Sequence, residues 1–194
     1  MKTGAIGFAL LQAQAVRPAF AAQDAPGKTG RIEIDVTHRR GDDYQVFDVR
    51  AGALVGASVQ RAWQVLTDYD RLAEFVPHMV SSRLISRDDH ECIVEQEGYG
   101  QFLFIRRTVN LLMRVRESPF SNIALTLLKG NMHEYQAEWQ LIPVETDQTQ
   151  IVYTGTVAPA FYVPSLFGSA MMKSDLRRML AAVVREIEKP GPPQ

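Results

Sequence analysis

The sequence predicts an α+β fold in which a curved antiparallel sheet wraps around one long C-terminal helix, with two short helices after the first strands. Three observations carry the prediction. The stretch from Ser58 to Pro77 has helical spacing and lies between β-patterned segments. After it, strand-like segments follow one another with only short turns between them, which demands antiparallel order. A long amphipathic segment after Pro164 then carries Met172, Leu176, Met179, Val183 and Ile187 at helical intervals, and Pro190 ends it.

Ile32, Ile34 and Val36 alternate along a first strand. Arg40-Gly41-Asp42-Asp43 supplies turn chemistry, and Tyr44 to Leu54 return as a second strand. Ser58 is a helix cap, and Val59, Ala62, Trp63 and Leu66 form one buried helix face. Asp68 to Asp70 break that helix. Leu72, Phe75 and Val76 allow a second short helical turn, which Pro77 ends because the residue before a proline is pushed out of the α region. Further strands are expected at about Val80 to Arg87, Glu91 to Tyr99, Phe102 to Glu117, Ile123 to Lys129, Glu134 to Leu141 and Gln150 to Val157.

Composition agrees with one compact domain over 31–189. The chain has 194 residues, 46% hydrophobic and 22% charged, enough for a sizeable core. Its 21 Lys and Arg nearly balance 22 Asp and Glu, so no broad attraction to nucleic acid is implied. Cys92 stands alone, which excludes an intramolecular disulfide and a multi-cysteine metal site. Residues 1–21 have the tripartite pattern of an export signal: Lys2, a small apolar run from Gly4 to Val16, and Ala19-Phe20-Ala21 before the cut. That run is shorter than the ~20 apolar residues a membrane span needs. The pattern implies a periplasmic or secreted protein, with a cytoplasmic one as the alternative. Residues 22–30 read as a linker and 190–194 as a flexible tail.

An amphipathic helix of this length must bury its apolar stripe, and a strongly curved sheet covers it without touching it everywhere. The mismatch leaves a cavity. In the long strand, Leu103, Ile105, Val109, Leu111, Met113 and Val115 share the inward face, and Arg107 falls among them. An arginine there needs an anion, a carbonyl or water, so Arg107 is a candidate for orienting a ligand, or else pairs with a nearby carboxylate. Tyr135, Ala137, Trp139 and Leu141 share a face of a later strand; Trp139 is core or a wall of the pocket. Cys92, Val94 and Gln96 form another inward set, and Tyr99 lies in the turn that follows. Met172, Leu176 and Met179 face inward from the last helix, serving as core or as an adaptable lining. Phe161 and Phe167, with Tyr162 and Leu166, form an apolar cluster at the helix entrance that is expected to border the cavity mouth, with transient membrane contact as one use. Phe75, on the second short helix, completes the cavity candidates.

Catalytic constellations are scarce. His38, His78, His90 and His133 lack metal-ligand spacing, and no nucleophile motif accompanies them, so neither a metal nor a cofactor is expected. Glu95 and Glu97 stand about 6.6 Å apart along one strand face, a separation usable in two-carboxylate chemistry but common on solvated strands.

The order of strand, two short helices with Asp68-Tyr69-Asp70, Leu72, Phe75 and Pro77, several antiparallel strands and a long last helix resembles the START-related superfamily with its helix-grip fold. The resemblance covers roughly Tyr44 to Glu188 and includes Ser81-Ser82-Arg83, Trp139 with Leu141, and Pro164. The nearest branch is the polyketide cyclase/dehydrase and coenzyme Q-binding group. It implies a non-catalytic binding or transfer domain for a hydrophobic small molecule, a lipid or isoprenoid quinone. The alternatives are an aromatase/cyclase-like enzyme, with Arg107, Tyr99 or a glutamate assisting proton transfer, and a protein-interaction module.

Overall fold

The computed structural model describes residues 31–41, 43–102, 105–161, 163 and 165–190, without the side chains of 101, 102, 105 and 165–167. The leader 1–21 and the linker 22–30 lie outside the described residues. So do Asp42, Leu103, Tyr162, Pro164, the tail from 191 onward, and the side chains of Leu166 and Phe167.

Eight strands run β1 Ile32–Arg40, β2 Gln45–Val55, β3 Met79–Asp88, β4 Glu91–Phe102, β5 Ile105–Ser118, β6 Asn122–Gly130, β7 Met132–Glu145 and β8 Gln148–Pro159. Helices are α1 Val59–Thr67, a one-turn α2 Leu72–Phe75 and α3 Ser165–Glu188, with a 3₁₀ turn at Tyr69–Arg71. The strands form one antiparallel sheet in the order β1-β2-β8-β7-β6-β5-β4-β3. The sheet curves around α3 in the expected helix grip.

Local chemistry explains the helix ends. The Ser58 hydroxyl accepts a hydrogen bond from Arg61 N at 3.3 Å, capping α1. Val76 is extended, as a residue before proline should be, and α2 stops at Phe75. The Asp70 carboxylate accepts from Leu84 N at 2.8 Å, so it fastens the short helices to β3. Arg61 donates to the carbonyls of Glu186 and Ile187 at 3.0 and 3.3 Å. These are orphan acceptors at the end of α3, and satisfying them ties α1 to α3.

The core lies between the concave face of the sheet and the helices. Phe47, Val49, Ala51 and Val55 of β2, Met113 and Val115 of β5, and Leu180, Val183 and Ile187 of α3 are all buried. α3 rests mainly on β1 and β2, with α1 beside it. The contact is close: a Cβ on Gly168 would stand 2.9 Å from Phe47 Cζ. Leaning toward one edge of the sheet, the helix stands off from β3, β4 and β5.

Register explains most of the exposed large apolar residues. Val80, Ile85, Leu128 and Val144 are each the unpaired extra residue where pairing shifts, in β3, β3, β6 and β7. A bulged residue leaves the ladder and turns outward, so their exposure follows from backbone geometry.

Candidate functional site

The gap between α3 and the β3–β5 side of the sheet is an open cleft of about 270 Å³. Its walls come from four places. Val109 and Leu111 of β5 and Tyr135 of β7 form the sheet wall; Met172, Leu176 and Met179 of α3 form the helix wall. Gln96 to Gly100 of β4 and the loop Val76 to Met79 close the remaining sides. Alternation supplies the first wall and helical spacing the second, each with apolar side chains.

Polar groups gather at the rim. His78 sits in the left-handed region at φ 67°, where a non-glycine residue is uncommon, and its ring stacks on Tyr99 with centroids 4.7 Å apart. Its Nδ1 lies 3.9 Å from an Asp175 carboxylate oxygen on α3, and Arg178 donates to that same oxygen. The Arg106 guanidinium lies 3.6 Å from the Tyr99 ring centre, in a cation–π arrangement. Deeper in, the Tyr135 and Tyr153 hydroxyls are 3.4 Å apart, and burial raises the pKa of both phenols above the ordinary tyrosine value. Gln96 donates to Ser82 Oγ at 3.3 Å, which fixes its amide at the wall.

Of the residues expected around the cavity, Gln96, Tyr99, Tyr135, Met172, Leu176 and Met179 come together here. Trp139 does not. It is buried in the core against Tyr153, ring centres 4.9 Å apart. Phe75 and Phe161 are half-buried against the core, away from the cleft walls.

Arg107 needs a correction, because its side chain is exposed rather than enclosed. Its parity with Val109 and Leu111 holds, but β4 and β5 run past the part of the sheet that the helix covers. Alternation reports the face of a strand and not how far the cover extends. The Glu95 and Glu97 pair also separates: Glu95 accepts from Arg83 on β3, while Glu97 stays exposed at the rim.

Sequence reading missed His78, Asp175 and Arg178. Asp175 and Arg178 had a signal, since they interleave with Met172, Leu176 and Met179 on the same flank of α3. His78 had none, because its position depends on a loop conformation. Another omission is a buried polar cluster away from the cleft. Glu117, 7% exposed, accepts from the Tyr69 hydroxyl at 2.7 Å, Arg87 at 2.8 Å and the Cys92 thiol at 3.4 Å. Burial, then the hydrogen bond to Glu117, raises the Tyr69 phenol well above its ordinary range, and the same two causes push Cys92 up to about 11. Burial works to lower the Arg87 pKa, but the charge and hydrogen bond of Glu117 outweigh it and the net shift is upward. Glu117 continues the inward parity of Met113 and Val115, so the signal was present.

Comparison with known proteins decides the family. The model of the family described as polyketide cyclase / dehydrase and lipid transport matches residues 55–184. The chain belongs to that family. No curated protein matches it. Among solved structures, the STAR-related lipid transfer protein from Xanthomonas axonopodis is 18% identical, with a TM-score of 0.61 over 87% of this chain and 97% of that one. The Zhui aromatase/cyclase from Streptomyces sp. R1128 is also 18% identical, with a TM-score of 0.61 over 74% and 94%. A START superfamily protein from Mycobacterium smegmatis gives a TM-score of 0.63 at 14% identity, over 73% and 97%. At such identities the likeness establishes the fold. As a member of this family the chain is a START-like ligand-binding domain, a class holding both lipid-transfer and cyclase proteins. No described helix is long and apolar enough to cross a membrane. No group of three or more potential metal ligands occurs among the described residues.

Proposed function

We propose that this domain binds and transfers a hydrophobic small molecule, a lipid or isoprenoid quinone, without changing it chemically. The observation that carries the reading is the distribution of polarity in the cleft: apolar side chains of β5 and α3 dominate its walls, His78, Asp175, Arg178 and Glu97 stand at the rim, and the polar groups within are the Tyr135 phenol, paired with Tyr153, and the Gln96 amide. Such a site takes an apolar body by desolvation and orients it through its polar end, as small-molecule sites generally do. The methionines at 172 and 179 suit a ligand of variable shape, because thioether side chains repack at little cost. The leader pattern of residues 1–21 supports a place for this carrier outside the cytoplasm.

The cyclase reading has one observation in its favour, the adjacency of His78, Asp175 and Tyr99 at the mouth, where a histidine next to a carboxylate and a phenol suits proton transfer. The two readings separate in one experiment. Native mass spectrometry with lipid extraction on gently purified protein should show a co-purifying apolar molecule at near-equal stoichiometry, released unaltered on denaturation. Empty protein that converts a poly-β-keto substrate, and loses that activity in His78→Ala, would replace the carrier reading with the enzyme.

A further inference from the structure

We propose that the ligand of the cleft is a single-chain amphiphile with an anionic head, a carboxylate or a phosphate, and that Arg107 is the residue that selects the head. The proposal rests on the reading of the cleft as a site for an apolar molecule and specifies what that molecule carries at its outer end.

Position comes first. Val109 and Leu111 line the cleft, and Arg107 is the next residue of the same parity on β5, about 7 Å beyond Val109 along the strand. On this face the apolar wall leads toward Arg107, an exposed residue just beyond those that line the cleft. Its cross-strand partner is Gly100, which lines the cleft and has no side chain to cover the arginine.

Charge comes next. Among the described residues no carboxylate pairs with Arg107. Of the two acids at the rim, Asp175 is already engaged by Arg178 and faces His78, and Glu97 projects from the other parity of β4. Arg106 is spent on the face of Tyr99. Arg107 is thus an exposed cation next to the open end of an apolar cleft, with no carboxylate partner among the described residues, and its planar fork suits two oxygens of one anion. Size completes the argument. About 270 Å³ lies just under the range of ~300–1,000 Å³ typical of small-molecule pockets, which suits one acyl-sized chain rather than a two-chain lipid.

The test is calorimetric titration of the full chain with dodecanoate, dodecyl phosphate and dodecanol, which share one tail and differ in the head. The anionic pair should bind about tenfold more tightly than dodecanol, the weight of a charge-assisted hydrogen bond at an exposed rim. Arg107→Gln should erase that preference and leave dodecanol unchanged; Arg116→Gln, on the other parity of β5, should leave the preference intact. Equal binding of all three heads by the native protein overturns the proposal while the apolar-carrier reading stands. An anionic preference that survives Arg107→Gln also overturns it. So does a variant that binds dodecanoate normally but adheres less to phosphatidylglycerol vesicles, since Arg107 would then be a membrane contact. Binding of none of them, with no apolar molecule recovered from the purified protein, removes the carrier reading as well.

Discussion

Replacing Tyr69 by Phe deletes a single oxygen from the interior and leaves the ring in place. Tyr69 is 4% exposed and its hydroxyl donates to Glu117, itself 7% exposed, so water cannot readily replace the lost donor. A hydrogen bond to a charged group contributes about 1.5–3 kcal/mol. Glu117 keeps Arg87 at 2.8 Å and the weaker Cys92 thiol at 3.4 Å, which places the loss in the lower half of that range. For a domain of this size about 2 kcal/mol lowers the melting temperature by about 4–8 °C. Urea unfolding followed by circular dichroism measures the loss directly. The same substitution in a Glu117→Gln background should cost less, with a coupling of about 1 kcal/mol, because the acceptor is no longer charged. A loss below about 0.5 kcal/mol, or equal losses in the two backgrounds, would refute the view that this phenol helps keep an ionised carboxylate inside the sheet.

The same cluster predicts an alkaline limit. Unfolded Cys92 loses its proton near the ordinary thiol value of 9.0 whereas the folded thiol keeps it to about 11, so the native state binds more protons in that window. Stability should therefore be fully present below pH 9 and fall as pH rises toward 11, with a smaller slope in Cys92→Ala; an unchanged slope would show that the thiol does not contribute. Native protein should also resist thiol alkylation near pH 8 until denatured, as a mass shift would show. Gly130→Ala would place a Cβ 2.2 Å from Asn110 O beside the backbone of Leu111. Chemical denaturation should register a loss of about 1–3 kcal/mol, with weaker ligand binding because Leu111 is a wall of the cleft. Val109→Trp should fill the cleft and abolish dodecanoate binding with little change in the melting curve; full affinity in this variant would place the ligand elsewhere.

Much of the architecture was legible because it follows from short-range rules. Alternation located β3 to β8 to within a few residues, and Ser58 and Pro77 marked helix limits that the hydrogen bonding and backbone angles bear out. The site was legible where its residues lie on regular elements, as Tyr135 and the α3 stripe show. It was less so where the answer depends on how far one element covers another. Arg107 and Trp139 have the parity assigned to them, yet one is exposed beyond the cleft and the other is buried in the core against Tyr153. His78 shows a third limit, since its place at the mouth depends on a left-handed backbone that neither alternation nor helical spacing reports.

The bulges in β3 have a consequence for how copies of this protein meet. Both ends of the sheet, β1 and β3, are edges, but they are unlike. Between its two register shifts β3 offers only Ser81 to Leu84 as an uninterrupted ladder, too short a template for an incoming strand to hold. β1 pairs without a break from Ile32 to Arg40, and its side chains include Glu33, Asp35, Arg39 and Arg40. Strand-swapped or fibrillar association would thus begin at β1 rather than at β3, because β1 alone of the two edges offers an unbroken ladder.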